Sequence, residues 1–420
     1  MLIIHEEPWR RLSLALILGS LSALGALSID MYLPAMPSMS RQLHASGPVI
    51  QLTLTVFVIG LAAGQVVAGP LSDMWGRRRP LLAGMALYVA GSAWCALAPS
   101  AGQLLGARAV QSLGAAAGAV LARAIVRDLF DGTAMTRFFS TLMLVNGVAP
   151  VAAPVIGGQL LTVAPWRAVF AVMAGAGGVL LLAVLFALPE SLPSAGRQQT
   201  QRRQQRQCPE QTQCPEQTQR RQPARLGQTA RSLAGLAGDR RYLRYVLAAA
   251  LMFAAVFAYI SGSSFVLQDD YGLSAQQFSL VFAANGLGIV LFGQVNGFLI
   301  GRAATERTLL RVSLAIASLA GLGVLLAAAL GLPLPLLLGG LFIVTSMLGI
   351  VLPNATSLAM ADYSSAAGSA SSLQGLLQFL AGAVAASAMG LAGQGSAVPM
   401  GVTMAVCAIG ALGCVAGRGR

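Results

Sequence analysis

Twelve long apolar stretches, separated by short polar ones, run along this chain of 420 residues. Each is close to the ~20 residues that a helix needs to cross the ~30 Å hydrocarbon core of a bilayer. Because lipid offers no partners for backbone N–H and C=O groups, each stretch is expected to be a helix. The sequence therefore predicts an all-α membrane protein with spans at 12–37, 49–70, 80–98, 103–125, 138–162, 166–188, 243–267, 276–300, 309–330, 333–356, 369–393 and 397–416.

The composition agrees with a membrane protein and excludes several kinds of chemistry. Hydrophobic residues make up 56% of the chain and charged residues 10%, whereas soluble domains carry about 25% charged residues. The chain contains no lysine, so it has neither the phosphate-binding lysine of a Walker A loop nor an amine for a Schiff base. Its two histidines and five cysteines show no metal-ligand spacing. We therefore expect no metal, no bound cofactor and no enzymatic activity.

A polar segment, 189–241, divides the spans into two groups of six. It is rich in Gln and Arg and contains two consecutive copies of Gln-Cys-Pro-Glu-Gln-Thr, at 207–212 and 213–218. Such a tract buries too little apolar surface to fold, so we expect a disordered linker. The predicted domains are a six-helix bundle over 1–188 and a second one over 242–420.

The arginines are distributed unevenly between the two sides of the membrane. One side carries those of both chain ends, the linker, and the loops after the second, fourth and eighth spans, whereas the other side has only Arg41 and Arg167. Cytoplasmic loops of membrane proteins are enriched in positive charge. Both termini and the linker are therefore predicted to face the cytoplasm across a bacterial inner membrane. The net charge of +13 is explained by this arrangement and needs no nucleic-acid partner.

The strongest local motif lies between the second and third spans and reads Gly-Pro-Leu-Ser-Asp-Met-Trp-Gly-Arg-Arg-Arg over 69–79. Gly69 would permit close contact between helices, and Gly76 would permit a tight turn. Asp73 could pair with cationic groups or face a helix N-terminus in the other half of the molecule. A plain cationic loop that happens to contain an Asp is the alternative.

This loop resembles the signature G-x-L-a-D-r-x-G-r-r/k of the major facilitator superfamily. The resemblance implies two six-helix bundles with the substrate site between them, and a conformational gate that locks the outward-facing state. Asp128, at the end of the fourth span, would complete its charge relay, although Met74 replaces the usual basic residue. A weaker copy follows the eighth span at 297–302, where Gly301 takes the place of the Asp. The gate residues implied are Gly69, Asp73, Gly76, Arg77, Arg78 and Asp128.

Two charged residues lie inside spans, Asp30 in the first and Arg108 in the fourth. A charge at the centre of a membrane helix costs about 2.5–3.5 kcal/mol, so both are expected to face the protein interior. They lie roughly 12 Å and 9 Å deep and could meet across a central cavity, and Gln111 shares the Arg108 face. Alternatively, Asp30 caps a helix end near Pro34, and Arg108 extends to the membrane surface.

The fifth span and several scattered polar residues complete the candidate sites. Gly147, Pro150, Pro154, Gly157 and Gly158 resemble the antiporter signature of drug exporters, whose core reads G-P-x-x-G-G. Ordinary helix packing would also favour such residues. Further candidates for the cavity wall, which could equally hydrogen-bond to neighbouring helices, are Tyr32, Tyr259, Asn285, Gln374 and Gln378.

One combination of features narrows the resemblance further. The stretch Asp-Met-Tyr-Leu-Pro-Ala at 30–35, the Arg108 helix and the run 367–375 resemble the Bcr/CflA group of drug/proton antiporters. This implies proton-coupled efflux of small amphipathic drugs by alternating access, performed by a monomer in the lipid bilayer. It also implies that Asp30 and Arg108 couple proton and substrate, because a carboxyl group in an apolar chamber can bind and release protons near neutral pH. The alternatives are export of a metabolite such as an amino acid, peptide or siderophore, and a membrane-embedded enzyme or sensor.

Overall fold

The computed structural model describes residues 8–129, 132–188, 190, 238–361, 367–391 and 396–416. Within these ranges the chain is almost entirely helical, and twelve helical stretches are long and apolar enough to cross a membrane. The prediction of an all-α architecture with twelve spans is therefore confirmed. Most of the predicted linker, including its repeated hexapeptide, lies outside the described residues.

The described part of the chain contains thirteen α-helices and a π-helical segment at Val266–Asp270. The first half contains α1 (Pro8–Asp30), α2 (Met36–Gln42), α3 (Gly47–Trp75), α4 (Arg78–Leu97), α5 (Ala101–Leu129), α6 (Gly132–Val163) and α7 (Arg167–Ala187). The second half contains α8 (Arg240–Phe265), α9 (Ala275–Leu299), α10 (Glu306–Ala329), α11 (Leu334–Met360), α12 (Ala367–Leu391) and α13 (Val398–Ala416). Each helix except the short α2 matches one predicted span.

The first helix ends earlier than predicted, at Asp30 rather than at residue 37. Pro34 has no N–H group, and in a continuing helix its ring would clash with the carbonyl of Asp30, four positions before it. The chain therefore leaves the helix, passes through a 3-10 turn at Leu33–Ala35 and continues as α2. The first turn of α2 accommodates Pro37 without loss of a hydrogen bond. This break places Asp30 at the end of a helix.

Small residues bring α4 and α5 close together in the first bundle. A Cβ atom on Gly114 of α5 would lie 2.5 Å from the carbonyl oxygen of Gly84 in α4, so only glycine fits there. Because lipid provides no hydrophobic drive between helices, such close backbone approach lets van der Waals contact hold the bundle together. Helix α5 also carries Arg108 and Gln111, which are thereby fixed in depth and direction.

The two bundles meet along two helix pairs, α3 with α12 and α6 with α9. We call the end of the molecule between α1 and α3 the Leu33 end, and the opposite end, between α3 and α4, the Arg77 end. Five hydrogen bonds join the bundles at or near the Leu33 end: Arg41–Asp269, Gln51–Ser261, Ser264–Leu33, Gln276–Gln159 and Ser387–Thr55. The bundles are therefore tied together at this end.

Candidate functional site

Asp30 lies in the interior, at the end of α1, and is 5% exposed. Its carboxylate makes no hydrogen bond and no ion pair with the described part of the chain, so the helix-cap alternative has no support. Met31, the residue after Asp30, is held firmly. Gly157 of α6 packs so closely on the Met31 carbonyl that a Cβ atom added to Gly157 would overlap the carbonyl oxygen. An ionised carboxylate buried without a partner is costly, so this position suits a group that gains and loses a proton.

Arg108 is fully buried in the first bundle, at 0% exposure. Its Nη1 atom donates to the Ser28 carbonyl oxygen (3.1 Å) and to Gln111 Oε1 (2.7 Å). The guanidinium carbon lies 4.3 Å from the centre of the Tyr32 ring and 4.1 Å from that of Phe57, which are cation–π distances. The alternative in which Arg108 reaches the membrane surface is therefore wrong.

Asp30 and Arg108 do not meet as the sequence predicts. Both residues are described, and no ion pair joins them. Arg108 is bonded to the carbonyl of Ser28, two positions before Asp30. The guanidinium is thus bonded to the backbone of α1 and makes no hydrogen bond or ion pair with the Asp30 side chain. In this conformation the two charges are buried separately.

A polar network surrounds Arg108, and the sequence indicated only part of it. Gln111 Nε2 donates to Ser92 Oγ (2.8 Å), while Gln111 Oε1 accepts from Arg108. The Ser28 and Tyr88 hydroxyl oxygens lie 2.8 Å apart. These bonds link α1, α4 and α5, so the orientation of Arg108 depends on three helices.

Tyr32 belongs to the same cluster. Its hydroxyl oxygen lies 3.2 Å from Thr53 Oγ1, and its ring centre lies 5.8 Å from that of Phe170. The Tyr32 and Phe57 rings both lie within cation–π distance of the Arg108 guanidinium carbon. The residues of this cluster that the sequence analysis missed carry no stronger signal than a hydroxyl or aromatic group within a span; they are Ser28, Thr53, Phe57, Tyr88, Ser92 and Phe170.

The second bundle brings Tyr259 and Asn285 together next to the junction with α1. Asn285 Nδ2 donates to Tyr259 Oη (2.7 Å). The Tyr259 ring stacks on Phe282, with ring centres 5.4 Å apart. The Tyr259 hydroxyl lies within electrostatic reach of Asp30 in the first bundle. Two residues singled out in the second half therefore form one buried group with Phe282.

Gln374 and Gln378 lie one turn apart on α12 and form a separate group. Gln374 Nε2 donates to Thr356 Oγ1 (2.5 Å). Gln374 Oε1 and Gln378 Nε2 are buried without a hydrogen-bond partner in the described residues. Neither glutamine bonds to Tyr259 or Asn285 there, so the polar candidates of the second half do not form one continuous network.

Helix α6 places Pro150, Gly147 and Gly158 against α9 of the second bundle, and Gly157 against the chain that follows α1. Pro154 has no N–H to donate to the Pro150 carbonyl four positions earlier. Gly286 of α9 approaches that carbonyl so closely that a Cβ atom would lie 3.3 Å from its oxygen. Gly158 packs on Ser279 of α9, where a side chain would overlap the hydroxyl group. The other two glycines of the motif, Gly147 and Gly157, contact Val290 and Met31.

The loop at the Arg77 end is held by a buried ion pair. Arg77 Nε and Asp128 Oδ2 lie 2.8 Å apart, and each side chain is 5% exposed. Arg77 Nη1 also donates to Ser72 Oγ (2.6 Å). Gly76 turns the chain with φ +86, a conformation that glycine adopts at little cost. The loop therefore fixes the end of α3 to the end of α5.

Glu190, which the sequence analysis missed, completes this loop. Its carboxylate accepts hydrogen bonds from the backbone N–H groups of Arg77 (2.8 Å) and Arg78 (3.2 Å) at the start of α4. A Cβ atom on Gly76 would lie 2.6 Å from Glu190 Oε2. Arg78 Nη2 donates to the Leu185 carbonyl oxygen (2.6 Å). The only sequence signal was an acidic residue directly after the sixth span, at the same end as the loop.

Two expectations about these loops need correction, and one lies outside the described structure. A Cβ atom on Gly69 would meet no described atom within 4 Å, so the close helix contact predicted there is wrong. Gly301 has φ +75 and turns the chain as Gly76 does, so it is the turn glycine of the second-half loop and not the counterpart of Asp73. The side chain of Asp73 lies outside the described residues.

The sequence model of the protein family called Major Facilitator Superfamily matches residues 18–386 of this chain. The chain belongs to this superfamily. It is thus a membrane transporter of many spans and not an enzyme. It is 38% identical over 404 residues to YdgK, an uncharacterized MFS-type transporter of Bacillus subtilis, covering 95% of this chain and 93% of that one. It is 31% identical over 395 residues to a bicyclomycin resistance protein homolog of Haemophilus influenzae, covering 94% and 93%.

Further similarities support the same family and fold. The multidrug resistance protein MdtL of Escherichia coli is 36% identical over 167 residues, which is 40% of this chain and 43% of that one. A bacterial homolog of the lysosomal transporter Spinster, inward-facing and occupied, superposes with TM-score 0.73 at 16% identity, covering 98% and 96%. A D-xylose-proton symporter superposes with TM-score 0.73 at 15% identity, covering 95% and 97%. The two structures establish the major facilitator fold alone.

Proposed function

We propose that this transporter exports small amphipathic drugs across the bacterial inner membrane in exchange for protons. Two relatives are named for bicyclomycin resistance and multidrug resistance, which supports the cargo class. The observation that carries the proposal is the carboxyl group of Asp30, which is buried without a partner in the described residues. It lies within electrostatic reach of the opposite bundle. No bound cofactor is required, and a single chain suffices.

The arginine distribution supports placing the Arg77 end in the cytoplasm, together with both termini and the linker. The Leu33 end then faces outward. Because the bundles are joined there by Arg41–Asp269, Gln51–Ser261 and Ser264–Leu33, the present conformation is closed to the outside and receives cargo from the cytoplasm. Alternating access requires these bonds to break while contacts form at the Arg77 end.

The proton supplies the driving force through Asp30. A proton that crosses a membrane potential of ~180 mV releases about 4 kcal/mol, enough to hold a neutral substrate at a gradient of about a thousandfold. Whether the first bundle can close against Tyr259 and Asn285 of the second bundle depends on whether Asp30 carries its negative charge. Loading and release of the proton thereby bias the two conformations.

The loop at the Arg77 end acts as the gate. The Arg77–Asp128 pair and the Glu190 carboxylate fix the ends of α3, α4 and α5 as one unit, so this corner of the first bundle moves as a rigid body. Helix α6, with its free Pro150 carbonyl against Gly286, provides a glycine-lined contact along which the bundles can shift.

A two-stage experiment tests the proposal. A deletion strain and an overexpressing strain are compared across antibiotic classes, and compounds whose inhibitory concentration changes are then assayed in everted membrane vesicles. We expect uptake into the vesicles on imposing a pH gradient, and its loss when the gradient is collapsed. Unchanged susceptibility together with release of an amino acid, peptide or siderophore would replace the drug by a metabolite. Uptake that ignores the gradient would contradict proton coupling.

A further inference from the structure

Arg108 is a buried cation with hydrogen bonds on one side of its guanidinium group only. Nη1 donates hydrogen bonds to the Ser28 carbonyl oxygen and to Gln111 Oε1. Nε and Nη2 are buried and have no hydrogen-bond partner in the described structure. These two atoms form one edge of the planar guanidinium group, which we call the open edge because it has no hydrogen-bond partner, although the residue is fully buried.

The guanidinium plane is held in place, so the open edge points in a defined direction. The rings of Tyr32 and Phe57 lie 4.3 Å and 4.1 Å from the guanidinium carbon. Gln111, whose Oε1 accepts the hydrogen bond from Nη1, itself donates a hydrogen bond to Ser92. Two parallel N–H groups on one edge of a fixed guanidinium match the two oxygens of a carboxylate. This edge therefore offers the arrangement of donors that a carboxylate site requires.

No carboxylate among the described residues fills this edge. Asp30 lies two positions after Ser28, whose carbonyl binds Arg108, but no ion pair joins Asp30 to Arg108, and Gly157 packs on the neighbouring Met31 carbonyl. A buried charge left unpaired is strongly destabilising. The site therefore gains most from an anion that enters from outside the chain.

We propose that the Nε–Nη2 edge of Arg108 binds a carboxylate on the exported compound, and that this transporter favours aromatic or apolar molecules that carry one carboxyl group. The inference rests on the proposed export function. The carboxylate would bind Nε and Nη2 in parallel, and the body of the molecule would contact the Tyr32 and Phe57 side of the cavity. Neither residue composition nor the relatives' names indicate this preference.

A matched pair of probes tests the preference directly. The affinities of 2-naphthoate and 2-naphthamide are measured calorimetrically on the full chain in lipid nanodiscs at about pH 7.5, where an aromatic carboxyl group is ionised. The two molecules share a ring system and differ in charge. We expect the carboxylate to bind about tenfold more tightly, since two charge-assisted hydrogen bonds replace neutral ones.

Variants assign the preference to the open edge. R108Q should bring the affinity ratio of the two probes to about one, and R108K should retain only part of it because lysine lacks the parallel N–H groups. R167Q serves as the matched control, since Arg167 stacks on Trp166 (4.4 Å) outside the site, and should leave the ratio unchanged. A monodisperse elution profile establishes that each variant is folded.

Three outcomes would overturn the inference. Equal affinity of the native chain for the two probes does so without any variant. A preference that survives in R108Q assigns the carboxylate site to another residue. A preference that appears only when Asp30 is replaced by Asn makes Asp30 the native occupant of the edge. Binding needs no proton gradient, so a failure of proton-driven export in vesicles would be recognised separately.

Discussion

The two bundles share one architecture but differ in what they bury. The first bundle buries charge: Asp30 at the end of α1, and Arg108 beside two aromatic rings. The second bundle buries neutral amides and a hydroxyl, with Asn285 bonded to Tyr259. Its aromatic cluster, with ring centres 4.7 Å and 5.7 Å apart, consists of Phe253, Phe257 and Phe379.

The loops at the Arg77 end differ in the same way. The first-half loop holds the buried Arg77–Asp128 pair beneath the turn at Gly76. The second-half loop keeps a turn glycine, Gly301, but its Arg302 lies over the Phe298 ring at 4.7 Å. Among the described residues, the buried charged side chains therefore lie in the first bundle, namely those of Asp30, Arg77 and Arg108. We infer that the first bundle responds to the proton and the second adapts to that response.

Replacing Asp30 by Asn should have the largest effect, because it removes the only proton-accepting side chain that we place at the junction. We expect proton-driven export in everted vesicles to fall at least about a hundredfold, which corresponds to a barrier change of about 2.7 kcal/mol. Asp270→Asn, in an exposed turn, is the control with unchanged export. Normal transport by Asp30→Asn in a well-inserted protein would disprove the assignment of charge handling to the first bundle.

Replacing Asp128 by Ala should give the next largest effect, on stability. It removes the Asp128 carboxylate from the buried ion pair with Arg77, and breaking a buried ion pair costs about 3–5 kcal/mol. The matched change in the second bundle is Glu306→Ala. The Glu306 carboxylate accepts an exposed hydrogen bond from Ser357, so we expect its loss to lower the free energy of unfolding by less than about 1 kcal/mol. Thermal unfolding of both variants in detergent measures the contrast, and equal shifts would remove the difference between the two loops.

Replacing Gly157 by Ala should have an intermediate effect on transport. The added Cβ atom overlaps the Met31 carbonyl oxygen, so the backbone next to Asp30 must shift at a cost of about 1–3 kcal/mol. Gly69→Ala is the control, since its Cβ atom meets no described atom within 4 Å and export should stay within about twofold. The measurement compares the initial export rates of the two variants at equal abundance in the membrane. A harmless Gly157→Ala would mean that Asp30 does not need its present position.

Replacing Asn285 by Ala should have the smallest effect. Tyr259 loses one neutral hydrogen bond, worth about 1 kcal/mol, so we expect export to fall about fivefold with proton dependence retained. The pH dependence of the export rate checks whether only the rate changes. If Asn285→Ala abolished coupling as Asp30→Asn does, the second bundle would share the charge-handling role and the comparison would fail.

The fold could be predicted from the sequence because membrane spans depend on length and hydropathy, which are local properties. The end of α1 was misplaced because one residue, Pro34, overrides an otherwise apolar run. Tight helix contact was correctly sought at glycines but assigned to Gly69, since the sequence does not indicate which neighbour a glycine faces.

The candidate site was only partly predictable. Asp30 and Arg108 were identified because charge inside a span is rare, whereas the lack of an ion pair between them depends on how α1 and α5 pack together. Phe57 and Glu190 carry no distinctive local pattern. Their contacts exist only because α3 passes beside α5 and because α7 returns the chain to the turn at Gly76.

The anchoring of Glu190 has a consequence for how this chain can change over time. The repeated hexapeptides at 207–218 begin well beyond that residue, so copies can be gained or lost without disturbing the turn that Glu190 holds. Loop-closure entropy changes by only about 0.6 kcal/mol when a flexible tether doubles in length. For a linker that is disordered, as the sequence predicts, length is therefore weakly constrained, while the corner at Gly76 is held by its own contacts with Glu190.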